Sequence, residues 1–153
     1  MNKRDFNRLI AGAAASLALP SIGLAQASGT LAELAAYGGA DRQQRLVDGA
    51  KKEGNLSIYT SAQTEDIGAL VAGFEKKYGI KASIWRAGSE KVLQRAVTEA
   101  RANRNTVDIV ETNGPELESM SREKVFQAIK SPHLANLIPQ ALRPHGEWVG
   151  TRL

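Results

Sequence analysis

The stretch Leu56-Ser57-Ile58-Tyr59-Thr60, followed by Ser61-Ala62-Gln63-Thr64-Glu65-Asp66, decides the fold class of this chain. Residues 56–60 alternate with a period of two, which predicts a β-strand. Thr64, Glu65 and Asp66 then start a helix, since hydroxyl and acidic residues favour a helix N-terminus. Gly79 ends it. Its apolar residues recur at helical spacing and are Ile67, Leu70, Val71, Phe74 and Tyr78.

Two more strand–helix units follow. Residues 80–85 predict the second strand, and Ser89 caps a second helix. The inward side chains of that helix are Val92, Leu93, Ala96, Val97 and Ala100. Residues 107–110 predict the third strand, and Pro115 opens a short helix. Strands and helices that alternate with such short links predict an α/β fold, in which helices flank a parallel sheet joined by right-handed crossovers.

The flanking segments are less regular. Upstream, Asp41 and Gln44 form a capping-box-like start to a helix that Gly54 ends. Its apolar face carries Leu46, Val47 and Ala50. Downstream, we expect short helical pieces around Val125-Phe126, Ile129, Leu134 and Leu137-Ile138. Residues 148–153 predict a further strand, beginning at Trp148.

Composition narrows the function classes. The chain has 153 residues, 42% of them apolar and 24% charged, and this length predicts one domain or slightly more. It has no Cys, which excludes disulfide frameworks, thiolate metal sites and Cys nucleophiles. The net charge is +4, but part of it comes from the first 27 residues, which contain Lys3, Arg4 and Arg8 and one acidic residue, Asp5. The later part of the chain contains basic and acidic residues side by side. Nucleic acid is therefore a poor partner for this chain.

Residues 1–27 have the features of an export signal peptide. Cations come first, residues 9–27 carry no charge, and Ala25-Gln26-Ala27 matches an A-x-A cleavage site. A retained membrane span is the alternative, but Gly, Pro and many Ala make the stretch only weakly apolar. Residues 2–6 resemble a twin-arginine signal with Lys3 in place of the first Arg. We therefore expect a periplasmic protein, with residues 28–54 as an N-terminal helical segment.

The strand ends indicate where a ligand would bind, because open parallel sheets hold ligands beyond the carboxyl ends of their strands. That rule selects the loops at residues 59–61, 86–89 and 111–114. Gly88-Ser89 lies at a helix N-terminus, which favours an anion, or else simply forms a turn and a cap. Arg86 can pair with a carboxylate or phosphate, or remain a solvated surface arginine. The predicted ligand-binding residues are Thr60, Ser61, Gln63, Arg86, Gly88, Ser89, Thr112 and Asn113.

Four segments in order resemble a known family. They are Ala50-Lys51-Lys52-Glu53-Gly54-Asn55-Leu56-Ser57-Ile58-Tyr59-Thr60-Ser61, Phe74-Glu75-Lys76-Lys77-Tyr78-Gly79-Ile80-Lys81, Arg86-Ala87-Gly88-Ser89 with Leu93-Gln94-Arg95, and Val107-Asp108-Ile109-Val110. The match is to the bacterial periplasmic solute-binding proteins of ABC importers, in the branch that includes ferric-iron binders. The resemblance implies a lobe of the periplasmic-binding-protein type II fold. It also implies a soluble monomer that captures a small solute or ion and delivers it to a membrane permease.

The resemblance also implies a missing half. Family members have two lobes that close on the solute and are about twice as long as this chain. Residues 55–153 resemble the first lobe only, so we expect a fragment or a truncated product that lacks the second lobe. A non-functional remnant is therefore one alternative to the receptor interpretation.

The identity of the solute stays open between two classes. Iron binders of the family use a His after the first strand and a Glu after the third, and those places hold Gln63 and Asn113 here. Ferric iron is a hard cation that prefers charged oxygen donors, and neutral amides are poor replacements. Glu111, Glu65 and Asp66 lie near the same edge and could serve instead. We therefore favour a small anionic or organic solute, with ferric iron as the alternative.

An enzyme is the less favoured class. The chain has no G-x-S-x-G, G-x-x-x-x-G-K or G-x-G-x-x-G motif. His133 and His145 both follow prolines in turn-like segments and lack a second His at metal-ligand spacing. We therefore predict no catalytic residue, no metal site and no cofactor. Tyr59 and Trp85 end strands and could stack on a ligand, although packing in the core is the simpler role.

Overall fold

The computed structural model describes residues 31–151, and the surroundings of side chains from residue 33 onward. The predicted export signal at residues 1–27 lies outside this range. Two helices come first, α1 (Leu31–Ala36) and α2 (Arg42–Glu53). The remaining regular elements are β1 (Asn55–Thr60), α3 (Thr64–Tyr78), β2 (Lys81–Arg86), α4 (Ser89–Arg101), β3 (Ile109–Glu111) and α5 (Gly114–Arg122). Two 3-10 turns follow, at Pro132–Asn136 and Pro139–Ala141.

The three strands form one parallel sheet in the order β2-β1-β3, which confirms the predicted α/β class. Ile58 of β1 lies opposite Ile84 of β2 and Ile109 of β3. Because β1 is central, the chain passes from β1 to β2 on one side of it and then from β2 across β1 to β3 on the other side. Right-handed crossovers therefore place α3 and α4 on opposite faces of the sheet.

The core lies on the face covered by α4 and α5. Ala96, Leu117, Met120 and Trp148 form its buried cluster, and Met120 is completely inaccessible to solvent. Leu93, Val97, Val110, Val125 and Phe126 pack around it. Val92 and Ala96 of α4 are buried, as the helical spacing predicts. This face therefore supplies most of the apolar burial that stabilises the fold.

The opposite face is only partly covered. Of the five α3 positions predicted to point inward, only Ile67 is buried, and Leu70 is 69% exposed. Ile84 and Ile109, which flank the buried Ile58, are also exposed. No residue of α2 is buried either. The helical spacing was right, but a helix buries its apolar stripe only where another element packs against it.

The helix boundaries follow the predicted signals with one exception. Gly54 and Gly79 end α2 and α3 in the left-handed region, at φ 80° and 70°, where a Cβ would be strained. Asp41 is the residue before α2, although its side chain makes no capping hydrogen bond. The exception is α4, whose N-cap is Gly88, so the prediction that Ser89 caps this helix is wrong. Ser89 is the first helical residue.

The segment after α5 differs most from expectation. Residues around Val125-Phe126 and Ile129 are not helical, and the predicted strand from Trp148 is absent over residues 148–151. A strand needs a hydrogen-bonded partner. Here the amide of Gly150 donates to the carbonyl of Ala141 at 2.8 Å, within the segment after α5, instead of to an edge strand of the sheet. Trp148 packs into the core cluster rather than into a sheet.

Membrane-spanning helices can be assessed only within residues 31–151. In that range, no helix combines the length and the apolar character needed to cross a bilayer.

Candidate functional site

The carboxyl ends of β1, β2 and β3 meet at one edge of the sheet, as predicted. The Ser61 amide donates to the Glu111 carbonyl at 3.0 Å, and the Ala87 amide donates to the Thr60 carbonyl at 3.1 Å. The hydroxyls of Ser61 and Thr112 lie 3.0 Å apart within hydrogen-bonding distance. These contacts join the loop after β1 to both neighbouring loops. We refer to this group of three loops as the carboxyl edge.

Thr60 lies beneath this edge rather than on it. Its side chain is completely buried, and its hydroxyl donates to Glu111 Oε2 at 2.5 Å. The Ala62 amide donates to the same hydroxyl at 2.9 Å and to Glu111 Oε2 at 3.2 Å. The side chains of Thr60 and Glu111 therefore bind each other and attach the loop after β1 to the end of β3. This corrects the prediction that Thr60 contacts a ligand, because no part of its side chain reaches solvent.

Asn113 and Ser89 connect the two outer loops. Asn113 Nδ2 donates to Ser89 Oγ at 2.8 Å, from an exposed side chain to a half-buried one. The two residues are 24 positions apart in the chain, so only the crossover brings them together. The bridge uses only the side-chain nitrogen of Asn113 and the oxygen of Ser89, so Asn113 Oδ1 can still accept a hydrogen bond and the Ser89 hydroxyl can still donate one.

The Arg86 side chain already makes a hydrogen bond within the protein. Its Nε donates to the Ala62 carbonyl at 2.6 Å, which ties the end of β2 to the loop after β1. The side chain is otherwise exposed. A bidentate bond from Arg86 to an anion would therefore use the two terminal nitrogens of the guanidinium group.

Three helices begin at the carboxyl edge, and each begins without a side-chain cap. The N-cap residues are Gln63 for α3, Gly88 for α4 and Asn113 for α5, and none of the three makes a capping hydrogen bond. Their first-turn amides therefore remain available to a ligand. The helix dipoles make this region favourable for negative charge. An open depression of about 530 Å³ lies at the start of α4, lined by Gly88, Ser89, Glu90 and Lys91.

Acidic side chains also lie at these helix starts. Glu65 and Asp66 are in the first turn of α3, Glu90 in that of α4 and Glu116 in that of α5. Such residues complement the helix dipoles and offset part of the attraction for an anion. The edge is therefore mixed in charge, with neutral hydroxyl and amide groups between the carboxylates.

Within residues 31–151, no three His, Cys, Asp or Glu side chains come together as a metal-binding group. The two histidines lie in the segment after α5 and are exposed. His145 Nε2 is 3.4 Å from Glu118 Oε2, and its Nδ1 accepts a hydrogen bond from the Glu147 amide at 3.1 Å. The edge thus presents isolated oxygen donors rather than a preformed metal cage.

Tyr59 and Trp85 do not reach the carboxyl edge. Tyr59 is buried on the α4 face, where its ring makes a T-shaped contact with Trp85 at 5.1 Å between centroids. The Tyr59 hydroxyl donates to Glu99 Oε2 at 2.7 Å. Packing, the simpler of the two predicted roles, is therefore the one seen for both aromatic rings, and of the two Trp85 keeps part of its surface exposed.

Comparison with known proteins gives a consistent result. No protein-family model matches the chain. A curated relative, the Fe(3+)-binding periplasmic protein of Serratia marcescens, is 28% identical over 101 residues, which is 66% of this chain and 30% of the relative. The structure of Trichodesmium FutA (IdiA) in complex with iron and citrate ligands matches with a TM-score of 0.55 and 25% identity, over 63% of this chain and 31% of that one. Iron-bound HitA from Pseudomonas aeruginosa matches with a TM-score of 0.57 and 21% identity, over 63% and 31% of the two chains.

These matches show that the chain has the α/β fold of type II periplasmic binding proteins. In sequence and in fold it is similar to the ferric-iron-binding branch of the periplasmic solute-binding proteins. The match spans about a third of the length of these relatives. The curated relative is named as a binding protein, and the two structures are titled by the iron that they hold; none of these names describes an enzyme.

Proposed function

We propose that this chain provides the first lobe of a periplasmic receptor that captures ferric iron for import through an ABC transporter. The similarity to ferric-iron-binding periplasmic proteins supports the iron assignment over a purely organic solute. The observation that carries the choice of iron is this similarity in sequence and fold. The structure supplies the place for binding, because three strand ends and three uncapped helix starts converge at one edge. We further propose that residues 55–153 form this lobe and that a second lobe closes over it.

The donors at the edge determine how iron would be held. Fe(III) prefers charged oxygen ligands, whereas Gln63 and Asn113 offer neutral ones. Glu111 is the last residue of β3, and its carboxylate already accepts hydrogen bonds from the Thr60 hydroxyl and the Ala62 amide. This lobe alone would therefore leave most of the iron coordination unfilled.

We propose that the iron arrives as a complex with a carboxylate-bearing anion. The anion would supply the charged oxygens that this lobe lacks. Its remaining negative charge would face the first-turn amides of α4 and α5, which favour such charge. The FutA structure holds both iron and citrate, which makes this combination a natural one to test. The predicted contacts are Ser61, Gln63, Gly88, Ser89, Thr112 and Asn113, with Arg86 through its terminal nitrogens.

Thermal unfolding of the full 153-residue chain tests the proposal. A ligand that binds only the folded state stabilises it by about 2.7 kcal/mol at a concentration 100 times its Kd. We expect ferric citrate to raise the Tm more than citrate alone at the same concentration. No shift with ferric citrate would contradict the proposal for this chain.

A matched pair of variants locates the site. Asn113→Ala removes the bridge to Ser89 at the carboxyl edge, and we expect it to reduce the ferric citrate shift. Asn55→Ala removes a similar bridge, from Ser83 Oγ to Asn55 Oδ1 at 3.1 Å, at the opposite end of the same sheet. It should leave the shift unchanged. Equal losses in the two variants would place the binding elsewhere.

A free anion without iron is the second candidate. The uncapped helix starts and the neutral donors favour it, because an anion needs no metal ligands. The same titration separates the two candidates. Equal Tm shifts from citrate and ferric citrate would favour the anion alone.

A further inference from the structure

A second polar surface lies along α4 and adjoins the carboxyl edge at Lys91, the one residue that it shares with the depression at the start of that helix. It is a groove of about 450 Å³ between this helix and the end of β2, with Trp85 in its wall. Lys91, Arg95 and Glu99 line it from α4, and Arg104 lines it from beyond the helix. β2 is an edge strand, so the groove runs beside the open side of the sheet. We refer to it as the α4 groove.

The groove is built on a fixed network. Arg95 Nε donates to Glu99 Oε1 at 2.9 Å, and the Arg95 guanidinium lies 4.4 Å from the centre of the Trp85 ring and 4.5 Å from that of Tyr59. The second oxygen of Glu99 accepts hydrogen bonds from Tyr59 and Thr106. Both oxygens of Glu99 are therefore occupied by Arg95, Tyr59 and Thr106. The negative charge of Glu99 is paired with Arg95 and not with the other two cations of the groove.

Those cations are Lys91 and Arg104. Both are exposed, and neither takes part in an ion pair with any residue in the range 31–151. With Arg95 they give the groove three positive charges against the single negative charge of Glu99. Gln94 and Thr98 lie between them with amide and hydroxyl groups that can bond a peptide backbone.

The spacing of the charges selects the kind of ligand. At a rise of about 1.5 Å per residue, the helix places Lys91 and the region of Arg104 about 15–20 Å apart. A small dianion cannot reach both, whereas an extended peptide of about five or six residues can. Glu99 and the neighbouring Glu90 weaken the attraction for any polyanion. A nucleic acid strand fits less well than a short peptide, because positive and negative side chains are mixed along this chain and form no basic stripe for a long strand to follow.

We infer that the α4 groove binds an extended acidic segment of a partner protein, at a site that adjoins the carboxyl edge at Lys91. The acidic side chains pair with Lys91 and Arg104 at the two ends, and the peptide backbone lies over Gln94 and Thr98. Arg95 and Trp85 form the wall against which the segment packs.

A fluorescein-labelled hexaglutamate peptide is the probe, and its anisotropy is measured with the full chain at low salt. We expect saturable binding that weakens as salt increases. Each exposed ion pair contributes modestly, so the double variant Lys91→Gln/Arg104→Gln should bind about three- to tenfold more weakly. The control is Lys52→Gln/Lys76→Gln, which removes the same charge from exposed lysines of α2 and α3. It should bind the peptide nearly as well as the parent chain.

Four results would overturn the inference. They are no binding by the parent chain, equal weakening in the two double variants, complete competition by succinate at the peptide's concentration, and tighter binding of an oligothymidylate of equal charge. Thermal melts of each variant confirm that it folds. In a second readout, unlabelled peptide should change the fluorescence of Trp85 in a Trp148→Phe background.

Discussion

The contact between Thr60 and Glu111 offers a quantitative test of how the carboxyl edge is held together. Thr60→Val keeps the shape of a completely buried side chain but removes the hydroxyl that donates to Glu111 Oε2 at 2.5 Å. A hydrogen bond to a charged group contributes about 1.5–3 kcal/mol. The added methyl group returns about 0.8 kcal/mol of apolar burial. We therefore expect a net loss of about 1–2 kcal/mol, or about 5 °C in Tm for a folded unit of this size.

Urea unfolding of the parent chain, Thr60→Val, Glu111→Gln and the double variant measures this contact directly. Because the two side chains touch, we expect a coupling energy of about 1 kcal/mol between the substitutions. Thr98→Val, at an exposed position of α4, is the matched control and should change stability by less than about 0.5 kcal/mol. Additive effects of Thr60→Val and Glu111→Gln would refute the reasoning, since they would show that the bond does not connect β1 to β3.

Three further predictions concern the rest of the fold. Burial tends to raise the pKa of Glu99, but hydrogen bonds from Thr106, Arg95 and Tyr59 outweigh it and lower that pKa from 4.5 to about 2. The stability that Glu99 contributes is therefore complete above pH 4.5 and lost as the pH falls towards 2, so urea melts should show Glu99→Gln costing more at pH 7 than at pH 2.5. Met120→Ala should lower the free energy of unfolding, measured in denaturant, by about 2–5 kcal/mol, because this side chain is completely buried in the core. Leu70→Gln should change it by less than about 0.5 kcal/mol, because Leu70 is 69% exposed. Gly79→Ala should cost about 1–2 kcal/mol in Tm-derived stability, since its φ of 70° strains a residue with a Cβ.

The location of the candidate site could be predicted from the sequence, but its internal contacts could not. Strand and helix periods identified the three loops, and the rule for parallel sheets placed them at one edge. Whether a given side chain faces a ligand depends on what packs beside it. Thr60 and Arg86 were predicted as ligand contacts, yet the structure commits the first to Glu111 and the second to the Ala62 carbonyl. Each of these bonds joins residues more than 20 positions apart, where local patterns carry no information.

The α4 network has a partial signal in the sequence. Arg95 and Glu99 are four residues apart, a spacing at which oppositely charged side chains meet on a helix. Nothing local indicates that Tyr59 and Thr106 complete the site from 40 positions upstream and 7 downstream of Glu99. The charge pattern along α4 is therefore readable, but the groove that it forms with Trp85 is not.

From α2 to α5, the order of strands and helices along the chain, their approximate ends and the parallel direction of the sheet were already determined by the amino-acid sequence, whereas the strand predicted from Trp148 does not form. The reason is that periodicity, glycine stops and short links act within about fifteen residues of chain. Only the tertiary structure decided which apolar stripes are covered. The α4 face is buried under α5 and Trp148, whereas Leu70, Ile84 and Ile109 remain exposed on the other. Burial depends on which elements meet in space, and the spacing of residues along one helix or strand cannot specify its neighbours.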